Sequence, residues 1–518
     1  MHSENARAVR LAQLTPWLIV AAAILAGINA MDALPVGVFY DDALYVILGK
    51  SLSLGQGYRY INLPGAPAAT HYPPGYPALL ALLWTASPKF PENIALFKLA
   101  NALLLGVIAL FTFKFAHQRL GATRSAAAFA AVASTVTIPA LVLSTSVMSE
   151  TLFLALLLPL LRRAEQTVES PGLRNAMLLG GCAALLFYFR AHALVLLPAI
   201  GAGYFVNRRR REALAALLVG AALLLPWIAW VRAHDSAIPA PLRGSYGSYG
   251  AWFADGLRAD GFALIVSAAR ENLATIGAIV ARSFSVARHG MLDALALIAV
   301  LVLCCAGAID WARRARVTLV FVALYLAIVV TWPFSPLRFV WGIWPLVVLM
   351  MVSGARLLIR RDSSSRFGTQ LRAAGGIAAA VALIGAIVFN ARGYANAWWA
   401  TVGRSVAPRI QPQLTWTATH ASESAVVAVE DEGAVYLYTG RRAVPATSFT
   451  ASQYVRERST EANAANMAAI IRAFAPTFVI ISAIPSLEAA ALLTATHPPL
   501  LSRVDTISKP RVFRPNVR

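Results

Sequence analysis

The chain has 518 residues, 58% of them hydrophobic and only 13% charged, with a net charge of +21. A soluble domain averages about 25% charged residues, so this composition, with its mean hydropathy of +0.63, excludes an ordinary soluble enzyme. The excess of arginine does not mark a nucleic-acid binder, because the arginines fall between apolar runs, where they encode orientation in a membrane.

The first apolar run follows a short head carrying Arg7 and Arg10. It lacks a small-residue cleavage site and reads as a retained signal anchor. A span needs about 20 mostly apolar residues. Eleven stretches are expected to cross: 14–31, 92–113, 125–141, 147–161, 175–189, 191–206, 213–231, 291–310, 317–332, 339–356 and 373–391. With the N-terminus in the cytoplasm, the even-numbered spans end at basic loops: Lys114/Arg119/Arg124, Arg162/Arg163, Arg208 to Arg211, Arg313/Arg314/Arg316 and Arg360/Arg361/Arg366. The short turns on the other side lack such clusters, as positive-inside orientation requires. The odd count puts the C-terminus outside. Cys182, Cys304 and Cys305 lie in apolar runs and form no disulfide or metal pattern.

Three segments then face outward. Residues 32–91 hold FYDDALY, a short helix over ALYVILGKSLSLGQG and an apolar helix at HYPPGYPALLALLW. Residues 232–290 hold the aromatic SYGSYGAWF and an amphipathic FALIVSAARENLATIGAIVARSF, expected to lie on the membrane rather than cross it. The tail, 392–518, returns to soluble composition. ESAVVAVE, AVYLYTG and RRAVPAT read as strand, helix, strand; EANAANMAAIIRAF as a helix; TFVIIS as a buried strand; LEAAALLTAT as a helix. The expectation is a polytopic all-α membrane domain over 1–391 followed by a small α/β domain over 392–518.

Charges at or near membrane depth are expensive and need a reason. The candidates are Asp41, Asp42, His71, Tyr72, Glu150, Arg190, His192 and Arg338, which the topology brings near one face. Each has a plainer reading. An aspartate of the pair can cap the following helix. Glu150 suits a helix N-terminus after Ser149, and an arginine can snorkel. Together they suggest chemistry. A carboxylate can take a proton from an attacking hydroxyl, and arginine binds phosphate through a fixed fork of donors.

The motifs DDALY at 41–45, HYPPGYP at 71–77, MSETLF at 148–153, FRAHALVLLPA at 189–199 and PLRFVWGIWPL at 336–346, in that order and spacing, resemble the GT-C superfamily of membrane glycosyltransferases. The branch is the one containing protein O-mannosyltransferases and the bacterial lipid A aminoarabinose transferase; GAVYLYTGRR at 433–442 resembles the outer domain of its bacterial members. The resemblance implies an inverting enzyme of the inner membrane, its site facing the periplasm or cell exterior. It implies a polyprenyl-phosphate sugar donor and a lipid, glycan or protein acceptor. Asp41 matches the family's catalytic base, with Asp42 as neighbour or support. Tyr72 falls where relatives often carry a phosphate-contacting lysine, and Arg338 matches an arginine near the donor phosphate, with Phe339 in place of tyrosine. His71, Glu150 and Arg190 join the donor site. Asp42 and Glu150 are of the type that holds a divalent metal in some GT-C enzymes. This branch is reckoned metal-independent, so no cofactor is expected. A lipid-linked-sugar transporter, or a non-catalytic scaffold, would share the arginines and the cavity without the chemistry.

Overall fold

A computed structural model describes residues 2–32, 35–170, 172–360, 365–504 and 510–516. Each of the eleven apolar stretches coincides with helix. Among the described residues, six helices are long and apolar enough to cross a membrane: Gln13–Ala30, Ile94–Arg119, Arg210–Ala237, Phe262–Phe284, Gly290–Arg314 and Arg366–Ala395. Arg124–Thr135 and Ile138–Thr145 make a seventh if the pair, bent by 48°, is one span. The chain is thus a multi-pass membrane protein. The bend has a local cause. Val136 and Thr137 leave helical geometry, and Pro139 starts the second piece, where its missing N–H is not needed.

The remaining expected spans are shorter helices: Leu173–Phe187, Ala191–Val206, Arg316–Thr331 and Trp344–Ile359. Glu150–Thr167 has 18 residues and carries Pro159 within it. Phe262–Phe284, expected to lie on the membrane, is long and apolar enough to cross. It packs against Gly290–Arg314, Arg316–Thr331 and Arg366–Ala395. Asn272 inside it donates to the carbonyls of Val329, Val330 and Trp332 at 2.7–3.1 Å, which fixes it to the end of a neighbouring helix.

Small residues let the helices touch, as lipid-embedded interfaces require. Gly290–Arg314 and Trp344–Ile359 cross so closely that a Cβ at Gly354 would fall 1.9 Å from the Leu303 carbonyl oxygen. Four of the expected basic loops meet at one end of the bundle. Arg119 Nε donates to the Arg314 carbonyl at 2.5 Å, Arg209 to that of Glu169 at 2.8 Å, and Arg162 to Gln118 at 2.5 Å. Arg361, of the fifth loop, lies outside the described residues.

The tail forms a five-stranded sheet: β1 (Val426–Val429), β2 (Arg442–Pro445), β3 (Phe478–Ile481), β4 (Leu501–Arg503) and β5 (Arg511–Pro515), in the order β2-β1-β3-β5-β4. β1 pairs in parallel with β2 and β3, and β5 runs antiparallel to both β3 and β4. The helices Glu432–Thr439 and Thr460–Phe474 make the crossovers that parallel strands need. β1, β2 and β3 are the strands expected; the β4–β5 pair is additional. The tail docks on the segment that follows the first long helix. The helix Glu432–Thr439 lies on the helix Asp41–Ser53, with Gly433 against Ala43 and Ala434 against Gly37. Ala443 of β2 donates to the Asn62 carbonyl at 2.9 Å.

Candidate active site

Asp41 and Asp42 open the same helix and do different things. Asp42 is buried, and its carboxylate accepts the backbone N–H groups of Gly37 (2.8 Å), Ala43 (3.0 Å) and Phe39 (3.1 Å). It ties down the turn that leads into the helix and does not line the cavity described below. Burial pushes its carboxyl up to about 6, against the three N–H groups. Its oxygens are thus taken up by backbone N–H groups, and Asp42 supports the start of the helix that carries Asp41. Asp41 points the other way. Its Oδ2 lies 2.7 Å from Arg338 Nη2, and its Oδ1 accepts the Tyr72 hydroxyl at 2.8 Å. Burial alone would raise its pKa; Arg338 and Tyr72 outweigh burial and hold it below the usual carboxylate range.

The remaining charges form one connected group. Glu150 begins the helix Glu150–Thr167 and is fully buried. Its Oε1 lies 3.2 Å from Arg190 Nη1 and 4.0 Å from Arg338 Nη1. Neither Glu150 oxygen accepts a hydrogen bond, and Arg190 Nε donates none. Arg190 sits in extended backbone between the helix Leu173–Phe187 and the turn Ala191–Val195, and donates to Ser149 Oγ at 3.0 Å. Arg338 lies in the five-residue helix Leu337–Trp341, set off by Pro336. Arg190 faces the Phe339 ring at 5.6 Å and Arg338 the Phe334 ring at 6.0 Å.

Asp41, His71, Tyr72, Glu150, Arg190, His192 and Arg338 all line one cavity of about 800 Å³. Its other walls are mostly apolar or aromatic, among them Trp227, Ile228, Tyr249 and Trp332, and the tail closes part of it with Thr447 and Phe449. His71 is held by the Gly247 carbonyl at 2.6 Å and stacks near Tyr249. Burial lowers its pKa, against the Gly247 carbonyl and the nearby Asp41 and Asp235. His192 packs its ring between Phe339 and Tyr325. Tyr72, at the position where relatives often carry a phosphate-contacting lysine, donates its hydroxyl to Asp41 at the cavity wall. Sequence reading missed Tyr45, whose hydroxyl is 3.3 Å from Ser149 Oγ and whose ring lies against that of Tyr72, tilted by 50° at 4.7 Å. Its place in FYDDALY, one helical turn from Asp41, was the available signal. Among the described residues no three His, Cys, Asp or Glu side chains group as metal ligands.

The fold is a helical membrane bundle with an α/β tail closing over a cavity where two arginines gather. Solved structures of ArnT from Cupriavidus metallidurans share it. The structure bound to undecaprenyl phosphate superposes with a TM-score of 0.53 at 14% identity, covering 96% of this chain and 97% of that one. The apo structure gives 0.52 at the same identity and coverage. No family model matches the sequence, and no curated protein does. The likeness is one of fold, carried by shape rather than by sequence.

Proposed function

We propose that the protein is an inverting glycosyltransferase that moves a sugar from a polyprenyl-phosphate donor to an acceptor hydroxyl outside the cytoplasm. The observation that carries the reading is the Asp41 carboxylate paired with Arg338 and facing the same largely apolar cavity as Arg190. The fold match to a protein captured with undecaprenyl phosphate supports that class of donor. In this reading the lipid enters from the membrane and its phosphate meets Arg338 and Arg190. Asp41 removes the proton from the acceptor hydroxyl, and the resulting oxygen attacks the anomeric carbon. The bond from that carbon to the phosphate oxygen breaks, and its electron pair stays on the lipid phosphate, where the arginines stabilise the charge. Lipid phosphate is a good leaving group, so no general acid is needed. Glu150 holds the two arginines in place and keeps the empty site near neutral. No cofactor is needed. The acceptor is a lipid, glycan or protein, and the tail forms part of its approach.

The protein lies in the inner membrane of a bacterium, with its N-terminus in the cytoplasm and the tail outside. The basic loops gathered at one end of the bundle support that orientation. The test is transfer of radiolabelled sugar from a panel of polyprenyl-phosphate sugars into host-membrane acceptors, by wild type and by Asp41→Asn. Label moved by wild type and not by the variant supports the reading. Equal transfer by both removes Asp41 as the base. Movement of intact lipid-linked sugar across vesicles, unaffected by Asp41→Asn, would instead favour the transporter.

A further inference from the structure

Tyr40 sits between the anchoring turn and Asp41 with φ 65° and ψ −62°. The Asp41 N–H donates to the Phe39 carbonyl at 2.7 Å, so Tyr40 is the centre of a γ-turn of the rare, strained kind. Such a conformation persists in a non-glycine residue only when its surroundings over-determine it. On one side Asp42 binds the backbone N–H groups of Gly37, Phe39 and Ala43. On the other side the anchor comes from the tail, 392 positions along the chain. The Tyr40 hydroxyl donates to Glu432 Oε1 at 2.6 Å.

Glu432 is itself an unusual residue. It is fully buried, it does not line the cavity, and it has no ion-pair partner among the described residues. A buried carboxylate without a cation is costly unless its hydrogen bonds serve a purpose. Its bonds are the hydroxyls of Tyr40 and of Tyr246, at 2.6 and 2.7 Å on the same oxygen. The helix that carries it is pressed onto the Asp41 helix at Gly433 and Ala43.

We infer that Glu432 of the tail is a positioning residue for the membrane-domain site: by gripping the Tyr40 ring it holds the strained turn that aims Asp41. The inference rests on the reading of Asp41 as the base, and it gives the tail a part in catalysis beyond closing the cavity. Without Glu432 the turn relaxes toward ordinary φ, and the Asp41 carboxylate swings from the line set by Arg338 and Tyr72. A displacement of this kind lowers the rate of the chemical step by about 10- to 100-fold, and leaves the donor KM within about twofold. Glu432→Gln keeps a carbonyl oxygen for the two hydroxyls and retains most of the rate.

The experiment joins two readouts on full-length protein in nanodiscs. Hydrogen–deuterium exchange is followed in the peptide covering residues 36–45, and sugar transfer is measured as kcat and KM. The variants are Glu432→Ala, Glu432→Gln, Tyr40→Phe and Tyr246→Phe. The expected result is faster exchange in 36–45 and reduced kcat for Glu432→Ala and Tyr40→Phe, with rescue in Glu432→Gln and little change in Tyr246→Phe. Tyr40→Phe removes a single oxygen and keeps the test alive should Glu432→Ala fail to fold. Unchanged exchange in Tyr40→Phe overturns the inference, as does faster exchange with unchanged kcat. Loss through Tyr246→Phe alone overturns the route through Tyr40. Faster exchange in a protein whose wild type transfers no sugar upholds the grip on the turn while removing the glycosyltransferase reading.

Discussion

The helix Glu150–Thr167 carries a buried glutamate near each end, and the two live in different worlds. Glu165, at the basic-loop end, accepts both the N–H and the hydroxyl of Thr318 at 2.7 Å, with Arg119 3.7 Å away. Arg119 in turn bonds the Arg314 carbonyl and Glu169. That network is closed on itself. Glu150, at the cavity end, faces two arginines yet accepts no hydrogen bond. Buried polar groups are normally satisfied, and exceptions call for an explanation. One network ties loops together; the other keeps bonding capacity in reserve for something that enters. The contrast separates a structural ion cluster from a candidate site on one helix, without reference to any relative.

The sharpest way to break this contrast is Asp41→Asn. General-base catalysis contributes about 10²- to 10⁴-fold, so kcat for transfer should fall by that range while the protein remains folded. Arg338→Gln comes next. Removing one preorganised charge-stabilising donor costs about 10²- to 10³-fold in kcat, and steady-state transfer with a fixed donor would show it. At the other end of the helix, Glu165→Ala should leave the N–H and hydroxyl of Thr318 without their partner. It should lower stability by about 1–3 kcal/mol with kcat unaltered, as read by thermal unfolding and the same assay. Equal loss of kcat in the Glu165 and Asp41 variants would erase the distinction.

The smallest effect concerns pH. Burial raises Glu432 from its ordinary 4.5 to about 7, with Tyr40 and Tyr246 donating to it and Asp431 beside it. Below 4.5 the group is protonated whether the chain is folded or not. Between 4.5 and about 7 the folded state keeps a proton that the unfolded state has lost, so raising the pH through this window weakens the fold. Wild type should therefore lose thermal midpoint relative to Glu432→Gln as pH rises from 4.5 to about 7. Asp41 runs with the opposite sign. Its pKa is lowered, so its contribution is present above the ordinary carboxylate value and vanishes only as pH falls through the depressed one.

Much of this was legible in the chain. Apolar runs placed the helices, because a membrane leaves the backbone few alternatives. Charges at outer ends of apolar runs marked Glu150, Arg190 and Arg338, because no plain lipid-facing surface explains all three together. Periodicity could not separate Asp41 from Asp42; only the fold shows which carboxylate the backbone consumes. Glu432 was out of reach, because its meaning lies in a tyrosine 392 positions away. The count of crossings was also hard to read. Helices such as Leu173–Phe187 are apolar enough to look like spans yet have only 15 residues.

That shortness has its own consequence. At 1.5 Å per residue, Leu173–Phe187 reaches about 22 Å and Arg316–Thr331 about 24 Å, against a hydrocarbon core of about 30 Å. Both stop at the cavity, at Phe187 and Trp332. Where helices this short lie across a bilayer, the lipid around them thins to meet the polar ground at their ends. Bilayer thickness then becomes a variable of the reaction. Reconstituted into vesicles of increasing acyl-chain length, the protein should slow as the lipids outgrow the hollow, and a rate indifferent to chain length would show that the hollow is sealed from the lipid.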